Sequence, residues 1–167
     1  TDYNEESFFV RHAYFLGEGV TYLLVKATDA VYSEAGVYEG SKAYPTFLDV
    51  KDYIDAYKAK GREAQWLDSA KRTLGVMCFG EFGEALNSSA TLSIPGLLKS
   101  DIVLELDALS NSDKTFFVEA LLLWIHHFRL SEPGRETFKH AVIIEEAHHI
   151  LLRKKQELGG EEAVTDV

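Results

Sequence analysis

Four consecutive apolar residues at 141–144 (AVII) run directly into two carboxylates, Glu145 and Glu146. A short apolar run rich in β-branched residues and bounded in this way reads as a buried strand. That restricts the chain to folds able to cover a strand on both faces. A second such run lies at 101–107 (DIVLELD). Between the two, residues 113–129 read as a long helix, apolar on nearly all sides through Phe116, Phe117, Val118, Leu121, Leu122, Leu123 and Ile125. The loop at 110–112 can cap that helix, and Pro133 and Gly134 mark a turn after it. Residues 147–158 read as a further helix. Strand, crossover helix, strand implies parallel strands in a doubly covered sheet. Such sheets bind ligands at the carboxyl ends of their strands, where Glu145 and Glu146 stand.

The first half reads differently. Residues from about 3 to 88 carry helical patterns. Apolar residues recur at helical spacing over 20–31. Thr46 is placed to cap a helix starting near Phe47, with Asp49 and Asp52 in its first turns, where the helix dipole favours acids. Gly61 is expected to end that helix. Residues 62–79 form another amphipathic pattern, with Trp66, Leu67, Ala70, Leu74 and Met77 on one side. Gly75, Gly80 and Gly83 then break it, and residues 87–89 are a polar, turn-like cluster. The domain boundary is expected near position 90, with a mainly helical region at 1–90 and a strand–helix region at 91–167.

Charge and composition narrow the function. The chain has 27 acidic and 17 basic residues, a formal net charge of -10. It therefore lacks the broad basic footprint that grips phosphate backbones, and any contact with nucleic acid falls to a local patch or to another surface. Cys78 is the sole cysteine, so no internal disulfide forms, which suits a reducing cytoplasm. The longest apolar stretch, 116–125, is interrupted by Glu119 and is too short to span a bilayer. The chain opens on Thr1 rather than Met and carries a polar Gly-Gly-Glu-Glu stretch near its end, and so reads as an excerpt of a longer protein.

Two carboxylates at the end of a buried strand are costly to bury unless they have a partner or a task. A nucleotide site offers two tasks. One acid orients a water ligand of Mg²⁺, which prefers oxygen ligands and keeps several waters. The next polarises the water that attacks the γ-phosphate. The same acids would also stabilise the N-terminus of a following helix whatever the function. Other chemistries fit less well. Adjacent strand residues point to opposite faces, so the pair does not flank a sugar as glycosidase carboxylates do. His126–His127 and His148–His149 are sequence neighbours, whereas a helical zinc site needs spacing of three or four. No G-x-S-x-G is present and Cys78 has no signature around it, so nucleophilic catalysis has no support. The aromatic residues Phe8, Phe9, Tyr14, Phe15, Tyr22 and Tyr32 read as core or subunit contact. Arg153 and its two lysine neighbours read as a solvated basic helix face.

In the order of its elements, the chain resembles the HerA family of hexameric DNA-translocating ATPases, within the HerA–FtsK group of P-loop proteins. The run IPGLLKSDIVLELDALSNSDKTFFVEALLLWIHHFR at 94–129 resembles that family's strand-and-helix unit before Walker B. HAVIIEEAHHILL at 140–152 resembles Walker B with its E-A-H continuation, and PTFLDVKDYI at 45–54 the helix start in the insertion between Walker A and Walker B. The resemblance covers roughly residues 45–158. It implies an α/β fold, a partial P-loop (RecA/HerA-like) parallel sheet with flanking helices, plus a largely helical N-terminal insertion. It places Glu145 on the acid that supports Mg²⁺ through water and Glu146 on the catalytic glutamate that activates water. His148 falls on the family's histidine that couples the ATP site to its neighbours. The implied partners are double-stranded DNA, other copies of the chain in a hexameric ring, and a nuclease of the NurA type. The departures are equally specific. No G-x-x-x-x-G-K-[ST] occurs, so there is no phosphate cradle in this chain. The glutamine-bearing sensor strand is missing too. Arg129, Arg135 and Arg153 are arginine-finger candidates by position only. The expectation is that this chain alone neither binds nor hydrolyses ATP. The alternative is a P-loop-derived scaffold or regulatory module that needs no hydrolysis.

Overall fold

The computed structural model describes residues 10–88, 93–134 and 136–147. The chain divides between residues 93 and 94 into two compact units.

The first unit is built on helices. Helix α1 spans Glu18–Glu34 and buries Val20, Leu23, Leu24, Ala27 and Val31, a spacing of three and four that gathers them on one face. It ends in a Schellman motif: Gly36, at φ 69°, donates to Ser33 O at 3.0 Å, and Val37 donates to Tyr32 O at 3.0 Å. Helix α2 spans Phe47–Ala56 with Thr46 as its N-cap. The Asp49 carboxylate accepts from the Thr46 backbone N–H at 2.6 Å and from the Thr46 hydroxyl at 2.8 Å. This is the return half of a capping box, with Asp in place of the usual Glu. Helix α3 spans Arg62–Met77 and helix α4 Gly80–Leu86. Gly61 caps the start of α3 instead of ending α2, which stops earlier, at Ala56.

Helices α1, α2 and α3 pack on one another, and α4 packs on α3. Leu23, Ile54, Leu74 and Met77 are almost wholly buried, so all three helices feed one core. Burying side chains of this size contributes about 1.5–3 kcal/mol each. Two devices fix the packing. A Cβ at Gly19 would lie 2.2 Å from Trp66 Cε2, so only glycine lets α1 approach the indole. Asn87, just past α4, accepts from the Leu48 backbone N–H at 2.9 Å and donates from Nδ2 to Gly83 O at 2.6 Å. It thereby ties the end of α4 to the first turn of α2. Of the aromatic set, Phe15 and Tyr22 are more than half exposed and are not core residues.

In the second unit, helix α5 spans Ile94–Leu97 and packs against helix α6, Asn111–Ser131. Ser110 caps α6: its Oγ accepts from Asp113 N at 3.2 Å and donates to Asp113 Oδ2 at 2.7 Å. Helix α6 stops before Glu132, which is extended (φ -86°, ψ 146°) as a residue preceding proline prefers. Thr115, Phe116 and Val118 are buried, while Leu122, Trp124 and Leu130 face outward.

The expected parallel P-loop sheet is not formed. Among the described residues the chain is helical and contains no strand. Residues 101–106 and 141–144 carry no regular structure, and 102–105 and 141–144 make no backbone hydrogen bond among the described residues. Val103 is 86% exposed and Ile143 is 87% exposed. A parallel strand is stabilised by ladder bonds and by burial of both faces, and these runs have neither. Two short strands are marginal at best without further partners. Of the helix expected at 147–158, only Ala147 lies within the described residues. Among the described residues no helix is long and apolar enough to cross a membrane.

Candidate functional site

Glu145 and Glu146 occupy a turn that closes the irregular run 138–144, and Ala147, the last described residue, is 3₁₀. Glu146 has φ 51°. The left-handed region costs a residue with a Cβ about 1–2 kcal/mol, and such strain gathers at functional sites. Both glutamates are exposed. The sequence argument that burial makes them costly therefore does not hold here: a carboxylate left in water keeps its solvation. What remains is their adjacency and the backbone conformation of Glu146. His148, His149, Arg135 and Arg153 lie outside the described residues.

Mg²⁺ takes one or two carboxylates, several waters and substrate phosphates. Glu145 fits that set in kind, as an oxygen ligand acting through water. Among the described residues, however, no group of three or more His, Cys, Asp or Glu side chains is placed to hold a metal. The lone thiol, Cys78, is pushed above its ordinary pKa by burial, which the hydrogen bond with Asn87 partly offsets, and so is not an activated nucleophile.

A second cluster was not legible as a site in the sequence. The last turn of α6 and the turn after it border an open cavity of about 380 Å³ lined by Arg129, Lys139, His126 and His140 among others. Arg129 Nε donates to His140 Nδ1 at 3.1 Å, and its Nη1 donates to Glu132 Oε2 at 2.5 Å. Gly134, at φ 75°, turns the chain so that His140 faces Arg129. The signal for this cluster was the Pro133–Gly134 turn, which brings the segments on either side of it together. Glu145 and Glu146 do not line the cavity. Arg129, an arginine-finger candidate by position, is bound within its own unit by Glu132 and His140. No known protein family, curated protein or solved structure matches this chain.

Proposed function

We propose that this chain is the water-activating part of a HerA-like ring ATPase that couples ATP hydrolysis to movement along double-stranded DNA. The observation that supports this reading most is the pair Glu145–Glu146 directly after an apolar run, with Glu146 in the left-handed region that few residues with a Cβ adopt. Bound MgATP would supply the electrophilic phosphorus and the divalent charge. The Glu146 carboxylate would take the proton of the attacking water, and Glu145 would hold Mg²⁺ through a water. His148 couples the site to its neighbours. The loop that cradles the phosphates is not in this sequence, so it must come from elsewhere in a longer protein. The ring would be a homo-oligomer, a hexamer in the family resembled, working in the cytoplasm with a nuclease of the NurA type as partner.

The second reading, a scaffold that does not hydrolyse ATP, draws on a different observation: both glutamates are exposed, and no metal-holding group of His, Cys, Asp or Glu is found among the described residues. Substitution in the full-length protein separates the two. Glu146→Gln should lower ATP turnover by about 10²–10⁴-fold, the usual range for loss of a general base, while bound ATP is retained. Turnover at the parental rate would rule out Glu146 as the base.

A further inference from the structure

The cavity at the end of α6 gathers cations in a chain whose net charge is -10. Arg129 has five N–H donors. One goes to His140 and one to Glu132, which leaves both Nη2 donors and one Nη1 donor uncommitted to protein among the described residues. His140, whose Nδ1 accepts from Arg129, lines the same cavity. Lys139, on the same wall, makes no ion pair or hydrogen bond among the described residues. Among the described residues Glu132 is the one carboxylate in the lining, and Arg129 already binds it. The C-terminal dipole of α6, equivalent to about half a negative charge, holds Arg129 in place and opposes an anion. With Glu132 counted, Arg129 and Lys139 still leave one net positive charge in the described lining, which outweighs the dipole.

We propose that this cavity is a binding site for a small phosphate-bearing anion, gripped by the free guanidinium donors of Arg129 and the ammonium of Lys139. Arginine meets phosphate through paired N–H donors and lysine meets it as a point charge, and such charge-assisted bonds are the strong ones. The cavity volume falls within the usual range for small-ligand sites. A purely structural role would need only Arg129, which closes the turn after α6. It leaves Lys139 and the open donors without a task. The carboxylates of Glu145 and Glu146 do not line the cavity, so this site and the hydrolysis reading can fail separately.

Calorimetric titration of the purified protein with pyrophosphate tests the site, with Lys139→Ala as the variant. Lys139 makes no ion pair or hydrogen bond among the described residues, so Lys139→Ala should melt at the parental temperature and bind pyrophosphate about tenfold more weakly, the equivalent of one lost charge-assisted bond. Lys139→Arg should restore most of the affinity. Displacement of the pyrophosphate by ATP but not by adenosine identifies a nucleotide phosphate as the ligand. Displacement by inorganic phosphate alone identifies free phosphate, and either result supports the site. Absence of pyrophosphate binding, or equal binding by parent and Lys139→Ala, overturns it.

Discussion

Asp49 holds the first turn of α2 through its charge. Its carboxyl lies below the ordinary carboxylate range, first because the Thr46 backbone N–H donates to it and then because the Thr46 hydroxyl does; slight burial acts the other way. The folded pKa is the depressed one. The stabilisation is therefore complete above the unfolded value of about 3.9 and is lost as pH falls through the folded value. Asp49→Asn should flatten the acid limb of stability measured by denaturant unfolding. An unchanged acid limb would remove Asp49 from the account. Two glycines carry comparable weight. Gly36→Ala forces a Cβ into the left-handed region at φ 69° and should destabilise by about 1 kcal/mol. Gly19→Ala drives a methyl into the Trp66 ring and should destabilise by about 1–3 kcal/mol, as overpacking does, with a shift in tryptophan fluorescence. Thr46 was legible as a cap because capping chemistry is local. The Gly19–Trp66 contact was not, because nothing near Gly19 in sequence points to its partner.

At the scale of elements the longer helices were readable, but α4 was not: Gly75, Gly80 and Gly83 read as breaks, yet Gly75 lies within α3 and the other two within α4, and the expected strands are not seen among the described residues. Thr46 and Ser110 mark the starts of α2 and α6 as capping residues do, and Pro133 lies just past the end of α6. Each of these signals is contained within a few residues. The runs at 101–106 and 141–144 have the composition of buried strands, yet a strand needs a partner ladder that no local pattern supplies. Asn87 shows the same limit in a helix. Its bond to Leu48 spans 39 residues, and a polar turn residue gave no hint of it. Asn87→Ala leaves an orphan N–H in the first turn of α2 and should cost about 1 kcal/mol. Amide exchange at Leu48 should rise more than elsewhere in α2, and uniform exchange along the helix would contradict this assignment.

On the scale of the whole molecule, residues 10–88 hold a helical core, whereas the second unit leaves many apolar side chains outward, among them Val103, Trp124, Phe138 and Ile143. The candidate carboxylates belong to that second unit. They were legible in the sequence as a motif, but their surroundings were not: exposure replaced the burial expected of them, and the cation cluster around Arg129 needed the chain reversal at Gly134 to become visible. Taken alone, the chain lacks a phosphate-binding loop, so the purified chain should not turn over ATP. The most direct measurement is ATP turnover by the full-length protein with and without linear double-stranded DNA, for the parent and for Glu146→Gln. The account predicts turnover that DNA stimulates in the parent and that Glu146→Gln abolishes while ATP stays bound. Turnover that Glu146→Gln leaves intact, or a parent that hydrolyses no ATP in the presence of DNA, would contradict it.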